Sequence, residues 1–229
     1  MPTALITGAS RGIGRAIARR LAASHEIVAV ARSEPELDAL ADQITAAGGR
    51  CRSIALDVAD ADAVSTALAG LEADVVVNNA GVGVLKPFLE LPLDEWRRMV
   101  DVNFSALYHV TRAVLPGMVS RERGHVVIIG SIAGRSAFVG GSCYAATKHA
   151  VMGFAESLML EVRDAGVKVS VVSPGSVATD FSPPKPRDLP WQLLPEDVAA
   201  AVAHAIDTPP GVLLHRVEVR ALSPKRPRG

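Results

Sequence analysis

Short runs of β-branched and aliphatic residues alternate with helix-length segments from one end of this chain to the other, and that alternation constrains the fold most. Residues 3–7, 26–31, 50–56, 74–78, 125–131, 167–173 and 212–219 read as strands. Between them, 13–23, 35–47, 61–71, 94–119, 144–165 and 195–206 read as helices. Val126-Val127-Ile128-Ile129 is apolar without alternation, as strands are when both faces of their sheet are covered. Strand–helix–strand units close by right-handed crossovers, so the expected fold class is α/β, a doubly wound parallel sheet of about seven strands with helices on both faces.

The 229 residues suit one domain, 1–229, with no internal repeat and no linker between compositional halves. The one break is the stretch 180–195; residues 181–195 hold five prolines in fifteen positions and read as an irregular loop at the substrate. The tail 223–229, with Lys225, Arg226 and Arg228, reads as a frayed basic end. With 24 basic and 24 acidic residues there is no global field to draw nucleic acid or an anionic membrane, and neither is expected as a partner. No apolar run approaches a membrane span. Only Met1 and Pro2 precede the first strand, and Cys51 and Cys143 cannot build a disulfide framework, so a cytoplasmic location is expected. The six histidines show no metal-ligand spacing with each other or with the cysteines, and no metal is expected.

Directly after the first strand stands Thr7-Gly8-Ala9-Ser10-Arg11-Gly12-Ile13-Gly14, leading into the first helix. Glycines there permit a tight turn, close approach of backbone to a pyrophosphate and tight helix–strand packing. The helix behind offers unpaired N–H groups and a positive dipole end to an anion. A glycine-rich turn alone also serves purely structural ends, but its place between a first strand and a first helix makes it a candidate phosphate loop.

The spacing Gly-x-x-x-Gly-x-Gly differs from the common Gly-x-Gly-x-x-Gly fingerprint. Further along, Asn78-Asn79-Ala80-Gly81 follows the fourth strand, Asn103 falls in the long fourth helix and Ser131 ends the fifth strand. Tyr144-Ala145-Ala146-Thr147-Lys148 supplies a Tyr-x-x-x-Lys pair, and Pro174-Gly175 with Thr179 follows the sixth strand. With these motifs in this order from residue 3 to 219, the chain resembles the short-chain dehydrogenase/reductase family of Rossmann-fold oxidoreductases. It departs from the family norm in two places. Twenty residues separate Asp57 from Asn78, so a third helix about two turns shorter than usual is expected, and the carboxyl end closes on 212–219 without a long extension.

In a Rossmann fold an acid at the end of the second strand binds the ribose 2′-hydroxyl of NAD, whereas arginine accommodates the 2′-phosphate of NADP. Ala31-Arg32-Ser33 stands there without a carboxylate at the tip, and Arg11 in the glycine loop adds a second guanidinium. Glu34 and Glu36 read instead as first-turn acids of the next helix. The expected cofactor is NADP(H), bound by Gly8, Ser10, Arg11, Gly12, Ile13, Gly14, Arg32 and Ser33. The resemblance further implies that Asp57 accepts a hydrogen bond from the adenine amino group with Val58 beside the ring. It implies that Asn79, Ala80 and Gly81 pass the adenosine ribose, that Pro174 and Gly175 meet the cofactor, and that Val177 and Thr179 hold the carboxamide.

Tyr144 and Lys148 are four apart on a helix and share one face. Reduction of a carbonyl needs a proton donor to oxygen as hydride reaches carbon, and a free tyrosine with a pKa of about 10 is poorly poised. Lowering it by about 2–3 units takes roughly 3–4 kcal/mol, which one cation about 4–5 Å away supplies at an effective dielectric near 20. Lys148 is expected to be that cation and, as the resemblance implies, to bond the nicotinamide ribose. Tyr144 is then general acid for reduction and general base for oxidation, Ser131 polarises the carbonyl, and Asn103 holds a water linking Lys148 to bulk.

Val82, Val84, Ile132, Ala133, Phe138, Cys143, Phe181 and Trp191 are expected at the substrate, a mostly apolar set that favours a neutral ketone, aldehyde or diketone. Lys185 and Arg187 on the proline-rich loop could instead meet a carboxylate or an acyl-carrier phosphate. The main expectation is an NADPH-dependent carbonyl reductase. The alternatives are a dehydrogenase of a hydroxy amino acid or polyol, a 3-oxoacyl reductase, and a non-catalytic NADP-binding sensor. The resemblance implies pairing through the fourth and fifth helices, giving a homodimer or homotetramer.

Overall fold

The computed structural model describes residues 1–181 and 191–222. Lys185, Arg187 and the basic tail 223–229 therefore fall outside the described residues. Seven strands, β1 (Thr3–Thr7), β2 (Glu26–Ala31), β3 (Cys51–Ala55), β4 (Val75–Asn78), β5 (Gly124–Ile129), β6 (Val167–Pro174) and β7 (Arg216–Val219), form one parallel sheet. Their order is β3-β2-β1-β4-β5-β6-β7, so the direction of winding reverses between β1 and β4. Open α/β sheets bind ligands outside the carboxyl ends of the strands at such a reversal.

Alternation of side chains along each strand splits the core into two layers. Ala4, Ile6, Ile27, Ala29, Val75, Val77, Val127 and Val172 face α1 (Gly12–Leu21), α2 (Glu34–Ala46) and α7 (Pro195–Ile206), packing on Ile17, Leu37, Leu40, Val198 and Val202. Leu5, Val28, Val30, Val76, Val126, Ile128, Val169 and Val171 face the opposite layer, built from α3 (Ala61–Ala67), α5 (Ala106–Ser120) and α6 (Ser142–Val162). There Val64, Leu107, Val110, Val114, Val151 and Ala155 fill the space. Both faces are covered, which is why the strands are continuously apolar.

Two elements differ from the sequence expectation. The third helix is shorter still than 61–71 because the chain turns at Gly70, whose φ of +69° is a left-handed conformation that glycine adopts without penalty. The long helix expected over 94–119 is interrupted: α4 (Leu93–Val100) runs into a π-helical turn, Asp101–Ser105, before α5 begins. A π turn inserts an extra residue into the helical repeat and is common at functional sites. Among the described residues, no helix is long and apolar enough to cross a membrane.

Candidate active site

The site begins at the turn after β1. The Thr7 hydroxyl oxygen accepts the backbone N–H groups of Asn79 and Ala80, both at 3.0 Å, and the Asn79 side-chain amide donates to the carbonyls of Thr7 (2.9 Å) and Gly8 (3.2 Å). The turns after β1 and β4 are thereby clamped together at the winding reversal. Gly8 takes a φ of +64°, and a Cβ there would stand 2.9 Å from the Ala80 Cα; a Cβ on Gly14 would overlap the Gly8 carbonyl. These two glycines let the strand, turn and helix close on one another. Asn79 thus works as a strut beneath the loop, with its amide group occupied by the protein.

Helix α1 starts behind this turn with no side-chain cap and no acid in its first turn, so its leading N–H groups are free for an anion. Arg11 at the N-cap is exposed, Gly12 and Ile13 are half-buried and Ser10 is buried. Arg32 is exposed just past β2, and Ser33, the N-cap of α2, makes no capping bond with its hydroxyl. Glu34 and Glu36 occupy the first turn of α2. Thr179 comes close to this loop, its Cγ2 lying 3.3 Å from where a Cβ on Gly12 would be. The donor set, free helix N–H groups flanked by two guanidinium groups and a hydroxyl with no acid at the strand tip, fits a dinucleotide that carries an additional phosphate.

Past β3, Asp57 Oδ1 accepts the Ala59 N–H at 3.0 Å and Oδ2 accepts two N–H groups of Arg98 at 3.1 Å. Burial pushes its carboxyl up, but the Ala59 N–H, the Arg98 guanidinium and the more distant Arg32 charge together hold it below the ordinary aspartate value. Val58 beside it is buried.

The candidate reacting groups gather at the carboxyl ends of β4 and β5. Ser131 caps a single 3₁₀ turn, Ile132–Gly134, accepting the Ala133 N–H at 3.1 Å, and its hydroxyl is near enough to Tyr144 to favour the phenolate. Lys148 is buried; its Nζ donates to the Ile129 carbonyl at 2.8 Å and stands 5.9 Å from the Tyr144 ring centre. Burial lowers Lys148 to about 8. Tyr144 differs from the sequence expectation, because burial pushes its phenol up and the Ser131 hydroxyl is what pulls against that rise. The physical reason is that Lys148 shares the burial and is tied to a β5 carbonyl, so desolvation outweighs the expected help.

Asn103 lies in the π turn and is buried. Its Oδ1 accepts the Val82 N–H (2.8 Å), and its Nδ2 donates to the Val82 carbonyl (2.9 Å) and to the Thr147 hydroxyl (3.2 Å). Its amide is therefore committed to pinning the chain after β4. A chamber of about 10 Å³, the room one water needs, is lined by Asn78, Asn103 and Lys148 among others.

The expected substrate residues divide. Phe181 packs edge-on to Tyr144 with ring centres 5.6 Å apart, and Ala133 is buried beside Ser131. Phe138 is exposed on the loop before α6, and Trp191 is half-buried with its indole N–H unpartnered. Cys143 faces α4, its thiol reaching the Trp96 carbonyl at 3.6 Å, and burial pushes that thiol up. Pro174 ends β6, and Gly175 donates its N–H to the Val219 carbonyl at 2.8 Å, joining this segment to β7. Val177 packs on the layer of α1, α2 and α7, and Gly81 stands 3.4 Å, measured from its would-be Cβ, from Asn103 Oδ1. Sequence reasoning missed three participants: Thr147, Gly83 and Arg98. Thr147 was visible inside the Tyr-x-x-x-Lys segment, whereas Arg98 carries no signal beyond a charge on an amphipathic helix.

Comparison with known proteins agrees with this arrangement. The family model for short chain dehydrogenase matches residues 2–189. The NADP-dependent 3-hydroxy acid dehydrogenase YdfG of Salmonella typhi is 36% identical over 233 aligned positions, covering 94% of this chain and 93% of that protein. A metagenomic short-chain oxidoreductase solved with NADP superposes with a TM-score of 0.86 at 34% identity, covering 97% of each chain. The serine dehydrogenase of Escherichia coli gives a TM-score of 0.83 at 33% identity over 95% of this chain and 96% of its own. With the glycine turn, the Ser131–Tyr144–Lys148 cluster and the sheet order all in place, this chain belongs to the short-chain dehydrogenase family.

Proposed function

We propose that this protein is an NADP(H)-dependent oxidoreductase that reduces a ketone or aldehyde to an alcohol, with Tyr144 as the proton donor. The observation that carries the reading is the Ser131 hydroxyl, near enough to favour the ionised form of Tyr144, gathered with Tyr144 and buried Lys148 at the carboxyl edge of the sheet. NADPH, when bound, supplies the hydride. Gly8, Ser10, Gly12, Ile13, Gly14 and the first turn of α1 would hold its pyrophosphate, Arg11, Arg32 and Ser33 its 2′-phosphate, and Asp57 its adenine amino group. Val58, Asn79, Ala80, Gly81, Pro174, Gly175, Val177 and Thr179 would line the remainder of the cofactor.

Burial keeps Tyr144 protonated at neutral pH, so its hydroxyl can give a proton to a carbonyl oxygen as that oxygen becomes an alkoxide. Ser131 already accepts the Ala133 N–H, which leaves its own O–H to donate to the same oxygen. Lys148, still mostly ammonium at pH 7, returns a proton toward Tyr144, and Asn103 fixes the wall against which this happens. Oxidation of an alcohol would need Tyr144 to lose its proton first, so the unliganded site is set for reduction at neutral pH.

The names of the Salmonella and Escherichia coli relatives favour a second reading, in which a 3-hydroxy acid or a hydroxy amino acid is oxidised. A panel of ketones, diketones, aldehydes and keto acids with NADPH, run beside hydroxy acids and serine with NADP+, separates the two. Turnover confined to the hydroxy compounds would overturn the first reading, and silence throughout with tight NADPH binding would leave a sensor.

A homodimer through α5 and α6 accompanies this proposal. Phe104 of the π turn and Phe154 of α6 meet edge to face at 6.3 Å there, and Tyr108 on α5, 59% exposed, lines the same hollow. Light scattering should give twice the chain mass, and Tyr108→Glu should lower it to one chain. The two free thiols, Cys51 and Cys143, fit a reducing compartment such as the cytoplasm.

A further inference from the structure

Asp57 is held from two directions. Its Oδ1 accepts the Ala59 N–H at 3.0 Å from its own loop, and its Oδ2 accepts Nη1 and Nη2 of Arg98, both at 3.1 Å, from α4. The carboxylate cannot rotate without losing one of these contacts. Both partners are only about a third exposed, 38% for Arg98 and 36% for Asp57, and the guanidinium fork is a planar group that fixes direction as well as charge. Exposed ion pairs contribute little to stability, so a fork spent on one carboxylate oxygen at the edge of a ligand cleft has orientation as its main effect.

We propose that Arg98 is a positioning residue for the cofactor's adenine, fixing the Asp57 carboxylate so that the uncommitted lone pair of Oδ1 meets the exocyclic amino group. This rests on the reading of Asp57 as the adenine acceptor. An ionised carboxylate is an acceptor only, and the groups around Asp57 hold it below the ordinary aspartate value. Adenine presents an N–H donor at its 6-position, whereas hypoxanthine presents an oxygen that a fixed carboxylate repels. The consequence is selectivity between bases, set from α4 through the Arg98 fork. Arg98 acts only through Asp57 and reaches no reacting atom.

Fluorescence titration of the full chain with NADPH and with its hypoxanthine counterpart tests this without any substrate. The wild-type protein should bind the hypoxanthine form at least about tenfold more weakly. Arg98→Met should weaken NADPH binding about five- to tenfold and shrink the ratio between the two ligands to threefold or less, while Arg98→Lys should give an intermediate ratio. A merely structural role would weaken both ligands alike and leave the ratio untouched. Retention of the wild-type ratio in Arg98→Met overturns the proposal for Arg98 alone. A wild-type protein indifferent to the base overturns the reading of Asp57 beneath it. If Arg98→Met fails to fold, as circular dichroism would show, the ratio in Arg98→Lys decides: equal to wild type overturns the proposal, and reduced supports it.

Discussion

Phe181 stands edge-on to Tyr144, ring centres 5.6 Å apart and planes at 60°, and its ring fills the place a Cβ on Gly83 would occupy. The ring therefore rests on two surfaces at once, Tyr144 and the chain after β4. Phe181→Ala should raise kcat/KM for bulky ketones relative to small ones by about tenfold, the scale at which a pocket discriminates by a few carbon atoms. Gly83→Ala should displace the ring and shift the same ratio in the same direction. A ratio unchanged in both variants would show that the ring does not bound the substrate.

Lys148 is a buried amine whose pKa falls to about 8 on folding from an ordinary 10.5. A base with a lowered folded pKa costs stability in full below pH 8, and the cost fades as pH rises from 8 toward 10.5. Lys148→Met should therefore abolish most turnover, by about 10²–10⁴-fold. The same variant should be more stable than wild type by about 1–3 kcal/mol at pH 7, an advantage that shrinks above pH 8. Urea denaturation at pH 7 and pH 10 checks the sign.

The three hydrogen bonds of Asn103 join the π turn to Val82 and to Thr147 on α6. Asn103→Ala leaves the half-buried Val82 N–H and carbonyl without these partners and should cost about 1–2 kcal/mol by chemical denaturation, with turnover falling together with stability. Thr147→Ala removes one of the three and should cost about 1 kcal/mol.

Arg32 stands exposed just past β2, a strand that ends without an acid. Arg32→Ala should weaken NADPH binding by about 10–100-fold, the scale of one charge-assisted phosphate contact, and change NADH binding by less than about threefold. Equal losses for both cofactors would place the 2′-phosphate elsewhere.

His125 is buried at the start of β5, its Nε2 2.7 Å from the Ser170 hydroxyl, and burial, helped by the Lys168 charge, lowers it to about 4. Its neutral form is the folded one, so stability is full above pH 6.5 and is lost as pH falls from 6.5 through 4. Unfolding free energy should drop by about 2 kcal/mol between pH 7 and pH 4.5 on this account, and His125→Gln should flatten that slope.

The alternation of strands and helices was legible because both of its causes are local: β-branched runs and amphipathic periods are properties of neighbouring residues. The break in the long helix was not legible. Residues 94–119 keep a helical period throughout, and only the bonds from Asn103 to Val82, a residue 21 positions away, show why a π turn forms there. Likewise Cys143 adjoins Tyr144 in sequence, yet successive helical residues point about 100° apart, and its thiol meets Trp96 on α4.

By itself the sequence determined the sheet, its covered faces, the glycine turn and the residue types available for a hydride-transfer site, because spacing and composition carry all of these. Tertiary structure alone decided how those residues are tuned. It set the amide of Asn79 beneath the glycine turn, bound Arg98 to Asp57, and laid Phe181 against Tyr144. It also reversed the expected direction of the Tyr144 shift, since the field at a group depends on how much water its surroundings exclude, and that is fixed only when distant segments pack together.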